Sequence, residues 1–173
     1  MNGEIYCIKK LLGKGKGGYS YLAEKDGRLF TLKQIHHEPC AYYTFGNKIE
    51  AEKNDYERLC GAKIRIPKMI AIDEANERNL KEYIDGPADP ELVKNGGMKE
   101  SYLEQVREMA RKAYGAGLNV DWYPTNFFSL KLHTGENFSF RGLQLVRVSE
   151  HLKKRVSLET RYKSNDAISA FDL

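Results

Sequence analysis

Hydrophobic and polar positions alternate over short stretches in the first third of the chain and take up a helical period afterwards. Glu4 to Leu12 and Tyr19 to Lys25 are rich in β-branched and aromatic residues. The glycine run Gly13-Lys14-Gly15-Lys16-Gly17-Gly18 between them predicts two strands joined by a flexible turn. Asp26-Gly27 then precedes a third such segment, Arg28 to Ile35. Asp-Gly is a two-residue hairpin signal because both central positions of the favoured turn need positive φ. A three-stranded antiparallel meander is therefore expected. From Gly46 to Leu59, the residues Ile49, Lys53, Tyr56 and Leu59 recur at helical spacing, and Gly61 supplies a stop. Lys68 to Ile72 and, beyond a polar turn at Glu74 to Arg78, Asn79 to Ile84 predict two further strands. The expected order is β β β α β β.

Asp85-Gly86-Pro87 breaks the chain. A short helix near Pro90 to Lys94 and a longer one from Lys99 to Ala113 are expected next, the longer one turning Leu103, Val106, Met109, Ala110 and Ala113 to one face. Gly115-Ala116-Gly117 ends it, and Asn119 to Asn126 shows neither a helical nor a strand period. A hairpin is expected beyond that loop, with Thr134-Gly135-Glu136-Asn137 as its turn. The fold class is α+β.

Length and composition narrow the options. The chain has 173 residues, which suits one globular domain with two small lobes and is too short for a (β/α)8 barrel of about 250. No uncharged apolar run exceeds four residues, so a membrane-spanning helix is not expected, and the acidic start Met1-Asn2-Gly3-Glu4 is unlike a signal peptide. Cys7, Cys40 and Cys60 are odd in number and form no CxxC pair. They read as reduced, mostly buried thiols in a cytoplasmic chain.

The net charge of +4 is unevenly spread. Residues 1–128 carry 20 Lys+Arg and 19 Asp+Glu, a net +1, whereas residues 129–173 carry 8 and 5, a net +3. Two serines lie in the first part and six in the second, while tyrosine divides ten against one. A compositional junction falls near Phe128.

The glycine run fits GxGxxG through Gly13, Gly15 and Gly18. Glycines let backbone N–H groups close on phosphate oxygens. A dinucleotide fingerprint would need a helix directly after the glycines and an acid about 20 residues on. Here a strand follows, and Lys33 stands at that position. The remaining reading is a glycine-rich lid between antiparallel strands with a lysine on the third strand, in Phe30-Thr31-Leu32-Lys33. Glu52 on the following helix is placed to pair with Lys33 and fix its ammonium; the plain alternative is a surface glutamate beside Lys48 and Lys53. In Asn119-Val120-Asp121-Trp122-Tyr123-Pro124-Thr125-Asn126, Asp121 and Asn126 have the D-x-x-x-x-N spacing in which the carboxylate takes a hydroxyl proton and the amide oxygen holds magnesium.

Taken together, LGKGKGGYSYL, FTLK, Glu52, LKEYIDGP and NVDWYPTNF resemble, in order, the glycine-rich loop, strand-three lysine, helix glutamate, fifth strand with hinge, and catalytic loop of the protein-kinase-like superfamily. The likeness covers residues 5–128 and is nearest to small atypical members of the RIO, Bud32 and antibiotic-phosphotransferase kind. It implies a bilobal fold: a five-stranded antiparallel N-lobe sheet with one helix (1–84), a truncated, mainly helical C-lobe (85–128) and a divergent basic, serine-rich tail (129–173). It also implies that Gly13, Gly15 and Gly18 cover ATP, that Lys33 touches its α- and β-phosphates, and that the Glu82 to Ile84 backbone meets the adenine edge. Asp121 is then the base and Asn126 a ligand of Mg2+.

Asn119 and Tyr123 depart from the family, which has His and, in Ser/Thr kinases, Lys at those places. The larger departure follows Asn126, where the family supplies a metal-binding Asp within about 20 residues. SLKLHTGENFSFRGLQLVRV contains none, and Glu136 is its only acid. Three accounts fit the tail: a diverged C-lobe of a pseudokinase, an unrelated extension, or the product of a shifted reading frame. The last is tested by translating the other frames of the gene for an aspartate after Asn126. The basic cluster His151 to Arg155 reads as a solvated helix face, so nucleic acid is not expected as a partner. The expected activity is transfer of the γ-phosphate of ATP to a hydroxyl of a protein or small molecule. The alternative is a pseudokinase that binds nucleotide or acts as a scaffold.

Overall fold

A computed structural model describes residues 1–15, 17–39, 46–85, 93–120, 122, 126–132, 135–140 and 146–147. The chain divides into two compact units, one of residues 1–58 and 67–84, the other of residues 59–66 and 85–173.

The first unit is built on a five-stranded antiparallel sheet in the order β1-β2-β3-β5-β4, from β1 (Cys7–Gly15), β2 (Gly18–Lys25), β3 (Arg28–Ile35), β4 (Met69–Asp73) and β5 (Arg78–Glu82). Lys25 pairs with Arg28, and Asp26 (φ 51°) and Gly27 (φ 72°) both take positive φ, as the Asp-Gly signal requires. The glycine run joins β1 to β2 as expected, but the turn is shorter than the run. Strand β1 continues to Gly15, with Gly13 opposite Ser20, Lys14 opposite Tyr19 and Gly15 opposite Gly18. Bulges near Lys10 and Gly13 absorb the extra residues, and glycine adopts the extended conformation without steric cost.

Directly opposed residues share a face of an antiparallel sheet. Register therefore puts Tyr21, Ala23, Phe30, Leu32 and Leu80 on one face. Ala23, Phe30, Leu32 and Leu80 form its buried cluster, with Met1, Tyr6, Tyr21 and Ala71 packed against it. A cavity of about 300 Å³ lies on this side, lined by Met1, Tyr6, Ile8, Tyr21, Leu32, Gln34 and Arg78. The other face carries Gly18, Ser20, Thr31, Lys33, Asn79 and Lys81.

Helix α1 (Lys48–Gly61) starts two residues later than its pattern predicts. Asn47 caps it, its side chain accepting from the Glu50 N–H at 3.2 Å and its carbonyl from Ala51 at 3.0 Å. The helix ends at Gly61, as expected. The chain turns away two residues on, where Lys63 takes φ 55° while its N–H reaches the Cys60 carbonyl at 2.9 Å and the Ile64 N–H reaches Leu59 at 3.1 Å. Cys7 and Cys60 are free and exposed rather than buried, because Cys7 opens the edge strand β1 and Cys60 points outward beside the buried Leu59. Cys40 lies outside the described residues.

The second unit is organised by helix α2 (Glu100–Gly115), which buries Tyr102, Leu103, Val106, Met109, Ala110 and Ala113. Leu59, Ile64, Leu118, Val120, Trp122 and Phe127 complete its core. The Ala116 N–H donates back to Ala113 and Lys112, and Gly117 leaves the helix at φ 66°. The stretch after it does carry a period. Leu118, Val120 and Trp122 are buried at alternate positions, and Leu118–Asn119 form β6, paired with β9 (Val146–Arg147).

Strands β7 (Phe127–Leu132) and β8 (Gly135–Phe140) make the expected hairpin with the turn displaced. Leu132 opposes Gly135, so residues 133 and 134 connect the strands, and Glu136 sits inside β8 opposite Lys131. Val93 and Lys94 are helical, but most of the short helix expected there, and the whole His151 to Arg155 cluster, lie outside the described residues. Among the described residues no helix is long and apolar enough to cross a membrane.

Candidate functional site

The sheet register brings Lys33 of β3, Asn79 and Lys81 of β5 to the face on which Glu52 of α1 bears. The Lys33 ammonium donates to Glu52 Oε1. The other oxygen, Oε2, accepts from Asn79 Nδ2 at 2.7 Å and lies 3.8 Å from Lys81 Nζ. Side-chain exposures of 21% for Lys33, 15% for Glu52 and 16% for Lys81 make this a largely dry cluster. The surface-glutamate alternative fails on geometry, since Lys48 donates to the His36 carbonyl and Lys53 pairs with Glu74 at 2.8 Å.

Burial pushes the Glu52 carboxyl upward, but the charges of Lys33 and Lys81 and the hydrogen bonds from Lys33 and Asn79 outweigh it and hold the group below its ordinary 4.5. Burial dominates at Lys81, whose ammonium is held below 10.5 although Glu52 pulls it up; nearby Lys33 pushes it further down. Two cations share one carboxylate, so the cluster carries one positive charge in excess. Such a site is prepared for an anion.

The three glycines of the run differ. A Cβ on Gly18 would stand 2.4 Å from the Gln34 carbonyl oxygen and 3.2 Å from Lys33 Cε, so β3 itself demands glycine there. At Gly13 a Cβ would meet nothing within 4 Å, and at Gly15 only the Gly18 carbonyl at 4.0 Å. The tip of this hairpin is tied rather than loose. Lys14 donates to Glu38 at 2.6 Å, Tyr19 donates to the same carboxylate, and His36 Nε2 lies 3.0 Å from the Gly15 carbonyl. The Lys14 ammonium also stands 5.1 Å from the Tyr19 ring centre.

Glu82 ends β5 opposite Phe30 and donates its N–H to the Lys68 carbonyl at 2.9 Å, while Ile84 follows the strand in non-repetitive backbone. Of the predicted catalytic loop, Val120, Trp122 and Phe127 are buried anchors, with the Trp122 and Phe127 rings stacked 6.2 Å apart. Asn126 is half-buried and Asp121 lies outside the described residues. No group of three or more His, Cys, Asp or Glu among the described residues converges to hold a metal ion.

Sequence reasoning missed Asn79 and Lys81. Spacing along the chain carries no signal for them, because Lys33 and Asn79 become directly opposed partners only through the register of the antiparallel neighbours β3 and β5. Neither a family model nor a curated protein matches this sequence.

Proposed function

We propose that the chain is an ATP-dependent phosphotransferase of the protein-kinase-like kind, with residues 1–84 as its N-lobe, 85–128 as a partial C-lobe and 129–173 as a tail, working in the cytoplasm, where thiols stay reduced. The buried Lys33–Glu52 pair carries this reading. An ammonium held by a helix carboxylate beneath a glycine hairpin is a pre-oriented donor for the α- and β-phosphates. Gly13 and Gly15 leave room above their strand for a phosphate chain, and Ile84 with the Glu82 carbonyl offers backbone groups to a purine edge.

In the transfer, a hydroxyl oxygen of a protein or small-molecule acceptor attacks the γ-phosphorus. The β–γ bridging P–O bond breaks, ADP leaves, and the hydroxyl proton passes to the Asp121 carboxylate. Asn126 would offer its amide oxygen to a magnesium ion accompanying the nucleotide, which would neutralise part of the phosphate charge. A positioned base is worth about 10² to 10⁴-fold. Asp121→Asn is therefore expected to remove nearly all ATP turnover, followed as release of labelled phosphate or self-labelling, while nucleotide affinity stays near the parent's. Turnover equal to the parent's overturns the assignment.

One observation favours a second reading, a nucleotide-binding protein that does not transfer phosphate. Residues 127–165 contain no aspartate to complete a magnesium site with Asn126. On that reading ATP raises the melting temperature of the parent, yet neither parent nor variant turns it over.

A further inference from the structure

Lys81 has no task in the reading above. Its side chain is 16% exposed, and its one ionic partner among the described residues, Glu52 Oε2, is 3.8 Å away, beyond hydrogen-bond reach, while Asn79 donates to that oxygen at 2.7 Å. A largely buried ammonium with no hydrogen bond to it is expensive to keep unless an acceptor arrives to use its donors. Asn79 repeats the pattern from the other side. Its residue is 1% exposed, its Nδ2 is committed to Glu52, and its Oδ1 is buried without a partner. The cluster therefore holds unused polar capacity together with one excess positive charge, and Lys81 stands directly before the segment assigned to the purine edge.

We propose that Lys81 and Lys33 form a two-lysine site that holds the phosphate chain of a nucleoside triphosphate without a divalent metal. The inference rests on the nucleotide reading above. In metal-dependent sites a divalent ion neutralises much of the charge of the phosphate chain. Here a second ammonium, fixed in the protein, takes over part of that role, in a chain whose residues 127–165 offer no aspartate to anchor such an ion. Glu52 makes the arrangement workable. With Lys33 on one oxygen and Asn79 on the other, it holds both lysines close, and either ammonium can turn to a phosphate while the other still answers the carboxylate.

The test is a calorimetric and thermal-shift titration of the full chain with ATP and with inorganic triphosphate, each in EDTA and in Mg2+, for the parent, Lys81→Met and Lys81→Arg. The parent is expected to bind ATP in EDTA within about threefold of its affinity in Mg2+. Lys81→Met is expected to lose about tenfold or more in EDTA and to recover part of it in Mg2+, while Lys81→Arg, which keeps the charge, stays near the parent. Inorganic triphosphate should show the same ordering, since the contact is to phosphate. Unliganded Lys81→Met should melt no lower than the parent, because Glu52 retains Lys33 and Asn79. Binding by the parent only with Mg2+, or equal affinity of parent and Lys81→Met in EDTA, overturns the two-lysine site and leaves the nucleotide reading standing. Absence of binding in every condition overturns both. The comparison of EDTA with Mg2+ in the parent decides the matter even if a variant fails to fold.

Discussion

A methyl group on Gly18 would collide with the Gln34 carbonyl at 2.4 Å, whereas one on Gly13 would meet nothing. The residues of GxGxxG therefore separate by cause. Gly18→Ala should destabilise the fold by about 1–3 kcal/mol, the usual cost of forcing an extra group into packed structure. Gly13→Ala and Gly15→Ala should leave stability unchanged or raise it by up to about 1 kcal/mol, since glycine weakens a strand, while lowering ATP affinity. Chemical denaturation beside nucleotide titration distinguishes the two kinds. Glu52→Gln leaves two buried ammoniums without their carboxylate and should cost about 3–5 kcal/mol. The pH dependence has a definite sign. Because the Glu52 carboxyl is held below 4.5, its stabilisation is complete above that pH and disappears as pH falls through the lower folded-state value. Lys81, held below 10.5, has the same sign from the opposite cause: its burial cost diminishes as pH rises through its lowered folded-state value toward 10.5. Lys33 and Glu52 were recognisable from spacing alone, each on its own element. Lys81 was not, because its meaning comes from a cross-strand register that one-dimensional spacing does not encode.

Strands and helices were legible where side chains set a period and less so where backbone geometry set a boundary. Asp26-Gly27 announced its hairpin because two positive φ values admit few sequences. The glycine run announced the turn but not the strand ends beside it, because glycine tolerates a strand as readily as a turn, so β1 extends to Gly15 and β2 starts at Gly18. Thr134-Gly135-Glu136-Asn137 misled similarly: turn-forming residues stand in β8, and register puts the connection at 133–134. The end of α1 was legible in Gly61, but the residue that turns the chain was not, because a lysine, Lys63, occupies the left-handed position that a glycine normally fills. Lys63→Gly should accordingly raise stability by about 1 kcal/mol, read from the denaturation midpoint. The β1–β2 tip has its own pH signature. Hydrogen bonds from Lys14 and Tyr19 hold the exposed Glu38 carboxyl below 4.5, so the tie is intact above that value and opens as pH falls beneath it. Protection of the amides near Gly15, measured against their intrinsic exchange rate at each pH, should fall on acidification and, at neutral pH, in Glu38→Gln; equal protection in parent and variant would show that the tie does not hold the tip.

Each of the two units buries a core of its own, one beneath the sheet around Leu32 and Leu80, the other along α2 around Trp122 and Phe127. Trp122→Ala should cost about 3–5 kcal/mol as a large-to-small core change, and it lies within the predicted catalytic loop, next to Asp121 in sequence. The α+β class and the five-stranded sheet were readable because alternation and helical period are strong over residues 5–113. The burial of the 118–122 stretch was missed because its alternation is only three residues long, Leu118, Val120 and Trp122. What holds the functional reading together is the claim that Lys33, oriented by Glu52, receives the phosphates of ATP. Its most direct test is a thermal-shift titration with ATP of the parent and of Lys33→Met, in which Asn79 and Lys81 still support Glu52. ATP at one hundred times its dissociation constant should stabilise the parent by about 2.7 kcal/mol and leave Lys33→Met nearly unmoved. No shift in the parent, or an equal shift in both proteins, would contradict it.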